Sequence, residues 1–289
     1  MRQGTSERPA INTHVLRGVR LGIIGAGNMG QALISGALAA GVSGSRLLVV
    51  EADAAKRRRL VRRARVTPST IERVAAACDA IILAVKPQDM APVLERLSQS
   101  LTQRPPIRQP LIISIAAGLT IASLQRALGG PPLIRVMPNL PATVGSGISA
   151  MTAGRWATRA HRALAKAIFE SVGEVVELPE RVFDIVTAIS GSGPAYYFLI
   201  FQALRDAGME AGLPKWVAQR LAIQTAIGSG MLAKQSTDEL EAMLTRVASK
   251  QGTTEAALKV FARRGLARMM REGVHAARRR SQELTRCLS

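Results

Sequence analysis

The feature that most constrains the fold is residues 21–30, which read Leu-Gly-Ile-Ile-Gly-Ala-Gly-Asn-Met-Gly. A short apolar run ends at three glycines spaced G-x-G-x-x-G, and small residues at helical spacing follow. The pattern predicts a strand, a tight turn at Gly25, room for a pyrophosphate at Gly27, and close helix packing at Gly30. Free N–H groups and the dipole at such a helix start favour phosphate. The stretch therefore predicts nucleotide binding.

The rest of the first half predicts an α/β fold, a Rossmann domain with a doubly wound, mainly parallel sheet. Short apolar segments alternate with helical stretches, which is typical of βαβ units. The predicted strands after the first lie at 46–50, 80–85, 111–115, 133–137 and 174–178.

From about residue 180 the strand signals disappear. A helical segment at 182–189 is interrupted at 190–194, and further helices are predicted at 195–211, 216–234 and 255–284. The predicted domains are a disordered extension at 1–18, the Rossmann domain at 19–179, and an all-helical substrate and dimerisation domain at 180–289. The helix after Trp216 is apolar on more than one face, so we expect a second subunit to cover it.

Small or polar-tipped residues follow the predicted strands, at the edge where parallel sheets bind ligands. Such residues would fit a site for the nicotinamide and its ribose. They are Ala84, Lys86, Ala116, Met137, Pro138 and Asn139.

Two signals at the end of the second predicted strand point to different coenzymes. Glu51, like Asp53, would bond ribose hydroxyls, as in NAD-binding proteins. The basic run Lys56 to Arg59 would instead hold the 2′-phosphate of NADP, unless it is a solvated helix face. NADP (NADPH) is the favoured cofactor, and NAD (NADH) is the alternative.

Charge and cysteine content limit the other classes of function. The net charge is +19, but the basic clusters are not interleaved with aromatic residues, so nucleic acid is not the expected partner. Cys78 and Cys287 are too few for a disulfide framework or a zinc site, and no metal is predicted. No apolar run is long enough for a membrane span. Together with the two cysteines, which favour a reducing compartment, this leads us to expect a cytoplasmic protein.

Residues 247–255 place three hydroxyls and a glycine at the start of a predicted helix. Thr253 or Thr254 is a suitable N-cap, and capping alone explains one of these threonines. The same geometry offers N–H groups and hydroxyls to a carboxylate, which would also employ Ser249.

Together the two halves resemble the pyrroline-5-carboxylate reductase family, from about residue 19 to 284. The resemblance is carried by the glycine turn, Ala84-Val85-Lys86-Pro87-Gln88, Ser114-Ile115-Ala116-Ala117-Gly118, Arg135-Val136-Met137-Pro138-Asn139, Ser190-Gly191-Ser192-Gly193-Pro194-Ala195-Tyr196 and the 249–254 loop. It implies a Rossmann domain, a helical domain that interlocks into a homodimer or larger homo-oligomer, and NAD(P)H-dependent reduction of 1-pyrroline-5-carboxylate to L-proline.

The resemblance also implies roles for individual residues. Coenzyme contacts are implied for Ile24, Gly25, Ala26, Gly27, Asn28, Met29, Ala84, Val85, Lys86, Pro87, Ile115, Ala116 and Ala117. The loop with Ser249, Gly252, Thr253 and Thr254 would hold the substrate carboxylate. Thr254 would hydrogen-bond the ring nitrogen and assist its protonation.

This sequence departs from the family pattern in the same loop, where Gln251 replaces a glycine. A positive φ there would strain Gln251 by about 1–2 kcal/mol. Asp238-Glu239-Leu240 also replaces the family's Glu-His-Pro. One alternative is a β-hydroxyacid dehydrogenase. That class uses a catalytic lysine soon after the glycine-rich turn, and it is disfavoured here because no lysine follows that turn until Lys215. The other alternative is a basic nucleic-acid-binding or regulatory protein on a relic nucleotide fold.

Overall fold

The computed structural model describes residues 13–288. Of the predicted disordered extension, residues 1–12 lie outside the described residues. The prediction is wrong for 13–16, because Thr13–Leu16 forms a 3₁₀ helix. Leu16 is buried in the main hydrophobic core, which outweighs the polar character of the surrounding sequence.

Eight strands form one sheet in the order β3-β2-β1-β4-β5-β6-β7-β8. All neighbouring strands are parallel except β6 and β7. The first six follow the strand order of a Rossmann fold, which confirms the predicted class. The strands are β1 (Leu21–Ile24), β2 (Leu47–Val50), β3 (Thr67–Pro68), β4 (Ala80–Leu83), β5 (Leu111–Ser114), β6 (Leu133–Met137), β7 (Gly147–Ala153) and β8 (Gly173–Glu177).

Twelve α-helices lie in the described residues, along with short 3₁₀ turns. The helices between strands are α1 (Asn28–Ala39), α2 (Ala54–Ala64), α3 (Ile71–Ala77), α4 (Met90–Leu101), α5 (Ile121–Leu128) and α6 (Arg159–Glu170). Those after the sheet are α7 (Phe183–Val186), α8 (Gly193–Glu210), α9 (Lys215–Gln235), α10 (Leu240–Val247), α11 (Thr253–Arg263) and α12 (Leu266–Leu288). No helix in residues 13–288 is long and apolar enough to cross a membrane.

The strands are apolar, and helices cover both faces of the sheet that they form. Successive side chains of a strand point to opposite faces, so β1 sends Ile23 into one core cluster and Ile24 into the other. Leu33 of α1 packs in the first cluster, and Val74 of α3 packs in the second. Both faces of the sheet are therefore covered, as a parallel sheet requires.

The structure adds two strands that the sequence analysis did not predict. β3 has only two residues and pairs with β2, while β7 runs antiparallel to β6. β7 reads Gly-Ile-Ser-Ala-Met-Thr-Ala, and its small residues give a weak strand pattern.

Two helix predictions also need correction. The single helix expected at 255–284 is two helices, because Gly265 has φ +73° and ends α11 with a turn. Much of the interruption expected at 190–194 is instead helical: a π-helical turn covers Thr187–Gly191, and only Ser192 separates it from α8.

By its internal contacts the chain forms two compact units. Within the described residues, one unit comprises 13–192 and 277–288, and the other comprises 193–276. The division falls at the first residue of α8 rather than after β8, and the last turns of α12 group with the sheet. Below, the two units are called the sheet unit and the helical unit.

Candidate coenzyme and carboxylate sites

The three glycines of the first turn occupy distinct environments. Gly25 has φ +97°, and a Cβ there would lie 2.8 Å from the Ala84 carbonyl carbon. A Cβ on Gly30 would lie 2.2 Å from the carbonyl oxygen of Gly25, so helix α1 sits too close to the turn for any side chain. A Cβ on Gly27 would meet nothing within 4 Å. The tight turn and the close packing are thus confirmed, and the space beside Gly27 is open.

The amide groups at the start of α1 have no partner within the helix. Gly27 is the N-cap, with no side-chain cap, and the first helical bond runs from the Gln31 N–H to the Gly27 carbonyl at 2.9 Å. The N–H groups of Asn28, Met29 and Gly30 precede that bond. Such amides, with the positive end of the helix dipole, suit a phosphate group.

Glu51 ties this turn to the end of β2. Its Oε2 accepts the Ala26 N–H at 2.9 Å, and its Oε1 accepts the Asp53 N–H at 2.9 Å. Both carboxylate oxygens therefore already hold the backbone. The predicted ribose contact of Glu51 would have to share these oxygens.

A groove of about 400 Å³ lies between α1 and α2. Lys56, Arg59 and Arg63 line it from α2, and Gln31 and Ser35 line it from α1. The N-cap of α2 is Asp53, whose side chain accepts the N–H groups of Lys56 and Ala55, and these bonds lower the pKa of its carboxyl group. The basic run therefore forms one wall of this groove, beside the glycine turn, and is also a solvated helix face.

The predicted strand-end residues lie along one edge of the sheet. The Gly25 N–H bonds the carbonyl of Val50, the Ala84 N–H bonds that of Ile24, and the Ile115 N–H bonds that of Leu83. Half-buried residues at this edge are Ala84, Val85, Pro87, Ile115, Ala117, Met137 and Asn139, with Ala116 and Pro138 buried and Lys86 exposed. The Asn139 side chain accepts the Ile148 N–H at 2.9 Å, which anchors the start of β7.

A buried ion pair that the sequence pattern did not predict lies near this edge. Arg135 in β6 is 4% exposed, and its Nη1 lies 2.9 Å from Oε1 of Glu180. The same oxygen accepts the Ile121 N–H at the start of α5, and the guanidinium lies 4.9 Å from the Phe183 ring centroid. An arginine inside the apolar strand Leu-Ile-Arg-Val-Met was the available signal, because a buried charge needs a partner.

The 249–254 loop leads into α11 in the helical unit. Its N-cap is Gly252, not Thr253 or Thr254, which occupy the first two helical positions. That prediction was wrong because the Gly252 N–H bonds the Ser249 carbonyl at 3.1 Å, and a Cβ on Gly252 would lie 2.4 Å from Ser249 Oγ. A side chain at position 252 would displace the Ser249 hydroxyl.

Gln251 has φ +59°, which confirms the positive angle considered from the sequence. Its N–H donates to Oε2 of Glu255 at 2.6 Å, while Oε1 of Glu255 lies 2.9 Å from Lys259 Nζ. These two donors, Lys259 first, lower the pKa of Glu255. The first helical bond runs from the Ala256 N–H to the Gly252 carbonyl, so three amides before it point out of the helix start.

The helical unit buries little apolar surface within itself. Among its residues, the buried hydrophobic ones are Ala218 and Ala222. Tyr197, Leu199 and Trp216 are each more than 60% exposed. Large apolar side chains left exposed in this way on a folded protein indicate an interface.

The order of the strands, the glycine turn and the residues at the strand ends are together those of a dinucleotide-binding protein of the Rossmann class. Residues 20–118 match the family described as NADP oxidoreductase coenzyme F420-dependent, and residues 180–284 match the family described as pyrroline-5-carboxylate reductase dimerisation. The second match indicates a homo-oligomer.

The comparisons with whole proteins identify the family. A pyrroline-5-carboxylate reductase of Synechocystis is 41% identical over 269 residues, covering 92% of this chain and 98% of that protein. A solved structure of one from Coxiella burnetii has a TM-score of 0.86 at 31% identity, covering 92% and 98% of the two chains. A solved structure of a pyrroline carboxylate reductase from Plasmodium falciparum, with NADP bound, has a TM-score of 0.82 at 30% identity, covering 93% and 98% of the two chains.

This chain belongs to the pyrroline-5-carboxylate reductase family, whose members are NAD(P)-dependent oxidoreductases. The comparisons favour neither the dehydrogenase alternative nor the nucleic-acid-binding one.

Proposed function

We propose that the protein reduces 1-pyrroline-5-carboxylate to L-proline with NADPH, the last step of proline biosynthesis. The observation that carries this proposal is that one chain of this family contains both an open turn at Gly27 and a glycine-capped loop at Ser249 to Thr254. Reduction of a cyclic imine adds a hydride to the C=N carbon and a proton to nitrogen. When bound, the nicotinamide coenzyme supplies the hydride.

The residues of the sheet unit fit a dinucleotide. The side-chain-free face of Gly27 leaves room for the pyrophosphate, and the amides of Asn28, Met29 and Gly30 would bind its oxygens. The strand-end edge from Ala84 to Asn139 would hold the ribose and nicotinamide.

NADPH rather than NADH is proposed as the preferred coenzyme. Glu51 already accepts two backbone N–H groups, so it is a poor partner for a free 2′-hydroxyl. Lys56 and Arg59 begin the basic wall of the groove next to the turn, where a 2′-phosphate would gain charge-assisted hydrogen bonds.

In the helical unit, the amides of Thr253, Thr254 and Glu255 would bind the substrate carboxylate, assisted by the Ser249 hydroxyl. Thr254 is half-buried, and we assign its hydroxyl to the ring nitrogen. A hydroxyl is too weak an acid to protonate nitrogen alone. Its role is to orient the imine and to relay a proton from water.

The proposed assembly is a dimer or a larger homo-oligomer. A unit whose buried apolar side chains are two alanines cannot offset its own conformational entropy. A second copy that covers α8 and α9 would supply the missing core, and the match to a dimerisation family supports this.

An assay of coenzyme oxidation tests the function. With 1-pyrroline-5-carboxylate, the purified protein should oxidise NADPH and form one proline for each NADPH consumed. Light scattering on the same sample should give at least a dimer. Tight, salt-sensitive binding to an oligonucleotide without imine reduction would support the nucleic-acid alternative instead.

A further inference from the structure

We propose that Glu255 is a positioning residue for substrate binding, because it holds Gln251 in the left-handed conformation that the carboxylate loop needs. The inference rests on the proposed function of that loop. It concerns a residue outside the six-residue loop and a contact that depends on this chain's own Gln251.

The loop contains a local conflict. Gln251 has φ +59°, a backbone region that residues with a side chain enter reluctantly. A glycine at this position would adopt the angle without cost. Gln251 therefore needs a contact that holds it there, since the loop would otherwise relax toward a right-handed conformation.

Glu255 provides that contact from the first turn of α11. Its Oε2 accepts the Gln251 N–H at 2.6 Å, and its Oε1 pairs with Lys259 Nζ at 2.9 Å, one helical turn further on. In a capping box, the third helical residue bonds the N–H of the N-cap. Here the N-cap is Gly252, whose N–H already bonds the Ser249 carbonyl, so Glu255 reaches one residue further back.

The backbone N–H groups around the helix start therefore fall into two sets. Those of Gln251 and Gly252 are satisfied within the protein, by Glu255 and Ser249. Those of Thr253, Thr254 and Glu255 precede the first helical bond and stay directed outward. Lys259 offsets the charge of Glu255, so that this carboxylate supports an anion site instead of repelling its ligand.

Steady-state kinetics of a double-mutant cycle test the proposal. Glu255→Ala should raise KM for 1-pyrroline-5-carboxylate about five- to thirtyfold, because the competent loop conformer becomes that much rarer. The kcat and the KM for NADPH should change less than about twofold. Glu255→Gln should lie between, since its amide oxygen accepts the Gln251 N–H but loses the Lys259 ion pair.

Gln251→Gly supplies the decisive comparison. With glycine at 251, Glu255→Ala should change KM less than about threefold, because the strain that Glu255 holds is gone. Glu272→Ala removes a similar i,i+4 ion pair with Arg268 on α12 and should leave every constant unchanged. An unaltered KM in Glu255→Ala, or the same effect in the Gln251→Gly background, would overturn the proposal.

Amide hydrogen exchange separates this inference from the proposed function. Glu255→Ala should speed exchange of the Gln251 N–H at least about tenfold at unchanged melting temperature. If the parent protein does not reduce the imine but exchange responds in this way, the function fails and the positioning contact stands. Unchanged exchange at Gln251 would overturn the contact whatever the enzyme does.

Discussion

The carboxylate of Glu180 lies 2.9 Å from the guanidinium of Arg135, and this ion pair joins strand β6 to the segment that leads into α7. The same Glu180 oxygen accepts the Ile121 N–H at the start of α5. One carboxylate thus neutralises a buried cation and caps a helix, close to the strand-end edge proposed for the coenzyme.

Glu180→Ala should therefore destabilise the protein by about 2–4 kcal/mol, because Arg135 is left buried without its counter-charge. Glu177→Ala, which removes a solvent-exposed pair with Arg162, should cost less than about 1 kcal/mol. Denaturant unfolding measures both. If the Glu180→Ala variant were no less stable than Glu177→Ala, burial of Arg135 would not require Glu180 as its counter-charge. Arg135→Met added to Glu180→Ala should restore part of the loss.

Gly27→Val should abolish coenzyme binding while the fold is kept. The structure has open space where the new side chain would go, and that space is the proposed pyrophosphate position. Gly30→Ala is the matched control. Its Cβ would lie 2.2 Å from the Gly25 carbonyl oxygen, so it should lower stability by about 1–3 kcal/mol through overpacking. Melting curves with and without NADPH distinguish the two, and a Gly27→Val variant still stabilised by NADPH would contradict the assignment.

Lys56→Ala combined with Arg59→Ala should raise KM for NADPH about tenfold or more and leave KM for NADH nearly unchanged. The two side chains line the groove beside the turn, where only the 2′-phosphate distinguishes the coenzymes. Arg58→Ala, on the same helix but outside the groove, controls for the general loss of positive charge. Equal effects on both coenzymes would mean that the basic wall is only a solvated face.

Thr254→Ala should lower kcat by about 10²–10⁴-fold with little effect on coenzyme affinity, as expected for a group that assists proton transfer. Ser249→Ala should mainly raise KM for the imine, since it removes an interaction made equally in ground and transition states. Thr245→Ala removes an exposed hydroxyl on α10, outside the loop, and serves as control. Since Gly252 is the N-cap, Thr254→Ala should leave the melting temperature unchanged, and a normal kcat would remove Thr254 from the mechanism.

The glycine turn and the apolar strands were predictable because each is a local pattern with one common solution. Gly25 and Gly30 needed no distant contact to be recognised, whereas a positive φ at Gln251 was only a condition raised by the glycine that the family pattern has there. The Arg135 ion pair and the contact from Glu51 to Ala26 were not predictable, since each joins residues far apart in the sequence. The 3₁₀ helix at residues 13–16 was likewise not predictable, because it is stabilised by the packing of Leu16 against core residues far away in the sequence.

The most direct test of the central claim follows the hydride itself. The protein should be incubated with 1-pyrroline-5-carboxylate and NADPH carrying two deuterium atoms at nicotinamide C4, and the product examined by mass spectrometry and NMR. We predict proline with one deuterium, bonded to the carbon that was double-bonded to nitrogen, and one NADP⁺ formed for each proline. Coenzyme oxidation without proline, or proline without deuterium at that carbon, would contradict the account.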